Sequence, residues 1–165
     1  MSLITKTQII LSADLVPAVS GLTSRVTISQ FVNFASGTGS GQADLLHFST
    51  RTLVASASED LNLYDGSLKT PDGQPFAALS VREVYIRAAD GNTNEVVVGG
   101  AASNPWLGPF QDASDKLGVR PKAFQPFLHP TTGWTVSNTV KILKVANGGA
   151  GTPVTYDFVL VGSSV

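Results

Sequence analysis

Near the C-terminus, Val154, Tyr156, Phe158 and Leu160 recur at every second position, with Thr155, Asp157 and Val159 between them. A period of two puts all four on one side of an extended strand, whereas on a helix they would scatter around the axis. Tyr156 and Phe158 carry so much apolar surface that their side must be covered by other strands. Just upstream, Lys141–Ala146 is a second strand-like run, ended by Asn147-Gly148-Gly149-Ala150-Gly151 and followed by Pro153. Two apolar runs across a glycine-rich turn read as an antiparallel hairpin with a loop of about five residues. The segment from Trp134 to Val161 is therefore the piece against which the rest must pack.

The same pattern, less regular, fills the remainder. Residues 3–11 form a first strand, most apolar at Ile9, Ile10 and Leu11, and Asp14–Gly21, with Pro17, reads as a connection. Leu22–Ala35 is a long strand in which Leu22, Val26 and Ile28 share one parity and Phe31 takes the other, which predicts a bulge or bend near Gln30. Ser36–Gly41 is a flexible glycine-serine loop, and Ala43–Ala57 a third extended segment. Leu61 and Leu63 alternate up to the turn Tyr64-Asp65-Gly66, and Thr70-Pro71-Asp72-Gly73 is another turn. In Phe76–Ala88, Ala77, Ala78 and Leu79 suit a helix while Val81, Val84, Tyr85 and Ile86 suit a strand. Asp90-Gly91 and the alternation of Val96 and Val98 tip that stretch towards a hairpin.

From Gly99 to Pro130 the chain holds Pro105, Pro109, Pro121, Pro126 and Pro130, which exclude a long regular element and leave short strands at Asp115–Arg120 and Ala123–Leu128. Eight to ten short strands with turns between them predict an all-β fold, an antiparallel β-sandwich of jelly-roll type. One such domain spans residues 1–165, with residues 1–57 available as an arm or as edge strands.

Charged residues make up 14% of the chain, against about 25% in ordinary soluble domains, and the net charge is −1. Neither nucleic acid nor an anionic membrane has an electrostatic reason to bind such a surface. Low charge density also weakens the usual defence against association, which points to a protein of assemblies. The absence of cysteine excludes disulfides, thiolate nucleophiles and cysteine zinc sites, and fits folding in a reducing cytoplasm, although many exported bacterial proteins also lack cysteine. Thr5, Lys6, Thr7 and Gln8 interrupt any signal-peptide core, and no run approaches the length of a membrane span.

The motifs that could carry chemistry each have a plainer reading. Asp90-Gly91-Asn92-Thr93-Asn94-Glu95 opens like a calcium loop, but Glu95 stands where glycine is required and Ala101 where a bidentate glutamate is required, so a turn is expected. Gly37-Thr38-Gly39-Ser40-Gly41 lacks the lysine and helix of a phosphate cradle. His47 and His129 lie far apart without metal-ligand spacing; Asp44 orienting His47 is what a hydrolase would need. Glu59 and Asp60 are neighbours on a strand and point to opposite faces. Trp106 and Trp134 could stack on sugar rings, but core or interface packing accounts for them more simply. No catalytic, cofactor or metal residue is expected. Trp106, Phe110, Phe124 and Phe127 are too many aromatics for a free loop; they should pack on the sandwich or on a neighbouring subunit, and they are the expected interface residues.

Leu61-Asn62-Leu63-Tyr64-Asp65-Gly66, Val96–Trp106, Asp115–Pro121, Thr131-Thr132-Gly133-Trp134, Lys141–Asn147 and Tyr156–Gly162 follow one another in an order that resembles small virion proteins of tailed bacteriophages. The resemblance covers about two thirds of the chain and rests on strand-and-turn patterns. It implies a β-sandwich head-decoration (cement) or related structural protein, not an enzyme. It further implies a homotrimer, assembled in the bacterial cytoplasm and bound to the major capsid protein on the outside of the head. The alternative is a carbohydrate- or receptor-binding module of a phage tail or fibre.

Overall fold

The computed structural model describes residues 3–16 and 23–165. Every regular element among them is a strand. In chain order these are β1 (Thr5–Leu15), β2 (Ser24–Ser36), β3 (Gln42–Ala43), β4 (Leu45–Leu53), β5 (Ser58–Asn62) and β6 (Ser80–Ala88), then β7 (Val96–Gly99), β8 (Lys116–Val119), β9 (Phe124–Leu128), β10 (Trp134–Thr135), β11 (Ile142–Asn147) and β12 (Val154–Ser163).

Nine of the twelve strands build the sandwich. One sheet runs β4-β12-β6, with β9 and the short β10 both flanking β6; the facing sheet runs β5-β11-β7-β8. Leaving out β10 and numbering the other eight in sequence, the first sheet holds the first, eighth, third and sixth, and the second holds the second, seventh, fourth and fifth. That interleaving is the jelly roll, two nested Greek keys, and it bears out the expected fold class. Val154, Tyr156, Phe158 and Leu160 do share one side of β12, where they meet Val84 and Ile86 from β6 and Leu143 and Val145 from β11 in one fully buried cluster.

The jelly roll overturns two local expectations. β11 and β12 do not form a hairpin: β11 pairs with β5 and β7, and β12 with β4 and β6. The glycine-rich link carries the chain from one sheet to the other, and so does Asp90-Gly91 between β6 and β7. A strand with one greasy side is satisfied equally by a neighbour beside it or by one stacked across the core, so alternation cannot tell the two apart. Asn147 fixes the crossing. Its amide nitrogen donates to the carbonyls of Val54 (3.1 Å) and Thr152 (2.8 Å), and its carbonyl accepts from Gly149 N at 3.1 Å.

Phe76–Leu79 are neither helix nor strand. Their amides are taken by carbonyls from afar: Phe76 N by Leu68, Ala78 N by Leu63 and Leu79 N by Ser163. The helix alternative fails there because Phe76 and Ala78 are pinned into the core. Ser36–Gly41 is closed by the buried Arg82, which donates to the carbonyls of Gly39 (3.0 Å) and Thr131.

β1, β2 and β3 lie outside the sandwich. β1 and β2 form an antiparallel ribbon whose register runs unbroken from Thr5↔Phe34 to Leu15↔Ser24. The bulge expected near Gln30 is therefore absent, and Phe31 simply faces the opposite side, with the Lys6 ammonium 5.7 Å from its ring centre. Asp14 and Leu15 continue β1 instead of opening a connection; the rest of the expected connection, from Pro17 to Gly21, and Leu22 lie outside the described residues. The foot of the ribbon docks on the sandwich through Val32 and Phe34, which pack with Ala43 and Val161 and against Leu3, Leu46 and Leu128.

Candidate interaction surfaces

Residues directly opposite in an antiparallel ladder share a face. On one face of the ribbon the register brings together Ile9, Leu11, Ala13 and Leu15 from β1 with Ile28 and Val26 from β2. The other face carries Lys6, Gln8, Ser12, Asp14, Arg25, Thr27, Ser29 and Asn33, with Ile10 and Phe31 as its apolar members. Arg25 grips Asp14 there with two hydrogen bonds, 2.7 and 2.9 Å, and holds that carboxyl below its ordinary range. The ribbon is thus amphipathic, and its apolar face lies open: Leu11 and Ile28 are each 58% exposed.

A second apolar surface lies on the sandwich. Outward-pointing residues of the larger sheet line up in rows across β4, β12, β6 and β9. The row Leu46, Val161, Glu83, Leu128 sits under the foot of the ribbon. The next row is Phe48, Val159, Tyr85, Pro126, in direct register on four adjacent strands. Phe48 is 59% exposed, and Phe124, stacked on Tyr85 at 5.9 Å, is 56% exposed.

The four aromatics singled out from sequence do not gather at one surface. Trp106 is 2% exposed, donates its indole N–H to the Thr135 carbonyl at 3.1 Å and meets Trp134 edge-on, so its ring has no free face for a sugar or a partner. Phe110 and Phe127 are half-buried against each other on the flank of the core. Of the four, only Phe124 presents most of its ring to the outside. What the sequence reading missed is the ribbon face and the Phe48 row. The parity of Leu11 with Ile9, and of Ile28 with Val26, was the available signal.

The polar groups inside the sandwich form a file along the inward side of β4. Tyr156 donates its hydroxyl to Glu59 at 2.7 Å, and Arg51 reaches the same carboxylate at 2.6 Å. Arg51 Nε donates to Ser49 Oγ at 3.1 Å, and Ser49 meets His47 Nε2 at 3.0 Å. His47 Nδ1 lies 2.6 Å from the Lys69 carbonyl, which can only accept, so Nδ1 carries the hydrogen and Nε2 of the neutral ring accepts from Ser49. Burial holds the imidazole below its ordinary pKa. Asp44 does not orient His47; it accepts from the amide of Ser164 at 2.9 Å. The ring is wedged edge-on between Phe76 and Phe158, inside the packing.

His129 stands elsewhere, accepting from Gly133 N at 3.1 Å. Most side chains of the Asp90–Glu95 turn are also engaged. Asp90 pairs with Arg87 at 2.9 Å, Asn92 makes two 2.8 Å bonds to the backbone of Thr155, and Asn94 donates to Asn147. Among the described residues no three His, Asp or Glu side chains converge as metal ligands. No family model, curated protein or solved structure matches the chain.

Proposed function

We propose that this chain is a non-enzymatic structural protein of a phage particle, a decoration or cement protein that binds the outer face of the head. It would stabilise the shell by bridging capsid subunits. The observation that carries the reading is the pairing of a rigid sandwich with a projecting ribbon whose apolar face is open to solvent. A lone two-stranded ribbon in water is marginal, and an apolar stripe of this kind is built to be covered. The order of motifs from Leu61 to Gly162 supports the phage setting, and jelly rolls recur in virion proteins as a fold-level analogy.

A cement protein works by mass action. Contacts available only on the assembled shell shift the equilibrium towards it, and several linked contacts per molecule multiply the effect. Cryo-electron microscopy of purified particles, with peptide mass spectrometry of the same sample, tests this. A sandwich-sized density over the seams between capsid subunits, and peptides of this chain, are expected; particles without either refute it.

A further inference from the structure

We infer that the apolar face of the ribbon seats on the larger sheet of a second copy, over the row Phe48, Val159, Tyr85, Pro126, each copy giving one ribbon and receiving one. The inference deepens the structural reading above and rests on it for its setting.

Three observations lead to the second copy as the occupant. The first is continuity. The foot of the same ribbon face already packs on this sheet through Val32 and Phe34, over the row Leu46, Val161, Glu83, Leu128. The uncovered row lies two residues further along every strand, about 6.6 Å away, and is more apolar, with Tyr85 in place of Glu83. The molecule thus already contains a working instance of ribbon face on sheet face.

The second observation is that the ribbon leaves that row uncovered on its own body, with Phe48 59% and Leu11 58% exposed. Its pairing runs without interruption from Thr5 to Leu15, so it has no hinge at which to fold back, and Ile9 and Ile10 are already exposed where it leaves the sandwich. An arm anchored at its foot by Val32 and Phe34, with its outer length uncovered, is free to meet the equivalent row on a neighbour.

The third is area. From Ile9 to Leu15 the face is about 23 Å long and, over two strands, about 10 Å wide. Seating it buries roughly 230 Å² on each partner, about 460 Å² per arm, which is too little for a stable pair when one arm acts alone. Reciprocal exchange in a dimer puts two arms into one interface and doubles this to about 900 Å², near the lower bound of specific interfaces, whereas each seam of a trimer carries one arm and is held by closure of the ring. Mutual exchange is therefore the form that holds.

Because the chain has no cysteine, the contact can be trapped selectively. A Leu11→Cys chain is mixed with a Phe48→Cys chain, and separately with a Phe124→Cys chain, and each mixture is treated with a short bis-maleimide. Light scattering on the uncross-linked protein gives the oligomeric state. The expected result is a dimer or trimer in solution, and cross-linked hetero-pairs of Leu11→Cys with Phe48→Cys or Phe124→Cys. Leu11→Asp with Ile28→Asp should shift the protein to monomer while leaving the melting of the sandwich in place. A monomer at every concentration, an oligomer that survives the two aspartates, or Leu11→Cys chains that link only to one another would each overturn the inference. Decorated particles without the Leu11–Phe48 cross-link would remove this contact and leave the cement reading standing. A cross-linked ring in solution with bare particles would do the opposite.

Discussion

The Thr7 hydroxyl, on the ribbon, lies 2.8 Å from both carboxylate oxygens of Glu83, which is 6% exposed on the sandwich. A hydroxyl has one hydrogen to give, so an ionised Glu83 keeps one oxygen without a donor in the described contacts. Burial raises the Glu83 pKa, and the Thr7 bond only partly offsets it. An acid whose folded pKa exceeds its unfolded value, about 4.3, stabilises the protein fully below that value. The contribution is lost as pH rises through the folded pKa.

Glu83→Gln keeps an acceptor for Thr7 and removes the buried charge. It should raise stability at neutral pH by about 1 kcal/mol, or roughly 2–4 °C in Tm for a chain of this size, with the gain vanishing towards pH 4. Thermal unfolding of both proteins across that range checks it. A loss at neutral pH would mean that the ionised carboxylate is better solvated than its burial implies.

His47 titrates in the opposite sense. Its pKa is lowered by burial, so its contribution is present above the unfolded value of about 6.5 and is lost as pH falls through the folded pKa. His47→Asn keeps a donor for the Lys69 carbonyl but cannot take up a proton. Between pH 7 and 5 the wild type should lose on the order of 1 kcal/mol more than the variant, measured by urea unfolding. Fluorophosphonate labelling of Ser49 is expected to be absent, and labelling that His47→Asn abolishes would speak for a hydrolase.

The Tyr156–Glu59–Arg51 contacts should behave as a unit. Tyr156→Phe removes one donor from Glu59 and leaves the ion pair with Arg51, costing about 1–1.5 kcal/mol. Arg51→Ala takes away the counter-charge, and the double variant should cost less than the sum of the two, because they share a partner. Burial and the neighbouring carboxylate push the Tyr156 pKa up, so spectroscopic titration of the folded protein should show this tyrosine ionising only as the chain unfolds.

The sequence made the fold class legible because the period of two is written locally, in runs such as Val154–Leu160. Which strands lie side by side was not local. Asp90-Gly91 and Asn147–Gly151 look like hairpin turns, yet both cross between sheets, and only pairing with β4, β5, β6 and β7 decides that. The surfaces were hidden for the same reason. Phe48, Val159 and Tyr85 become one row only after β4, β12 and β6 are aligned, residues brought together from more than a hundred positions apart. Trp106 is the reverse case: core or interface packing is expected of an aromatic among prolines, and the loop folds it into the core.

Two glycines separate steric space from chain flexibility. Gly99 has φ +101°, and a Cβ there would lie 2.4 Å from the Asp115 carbonyl oxygen, a backbone atom that cannot give way cheaply. Gly91 has no such φ and nothing within 4 Å of the added carbon. Gly99→Ala should cost about 2 kcal/mol or more by denaturant unfolding, while Gly91→Ala should be neutral or stabilising by up to about 1 kcal/mol. Equal effects would mean that β7 and β8 can part at their closed end without penalty.

Phe34 and Phe158 are buried equally but in different cores, and truncating them should have different reach. Phe158 lies in the main cluster between the sheets, so Phe158→Ala should lower global stability by about 3–5 kcal/mol. Phe34 belongs to the small cluster under the foot of the ribbon, joined to the sandwich by Val161, Leu46 and Leu128. Its loss should free the ribbon before the sandwich opens, since local opening follows the weakest set of contacts. Hydrogen exchange by mass spectrometry should then show Phe34→Ala speeding exchange across Thr5–Leu15 and Ser24–Ser36 while Val154–Ser163 stays protected, with global Tm little changed. Uniform acceleration over all three segments would mean instead that ribbon and sandwich unfold as one unit, and that the foot is part of the core.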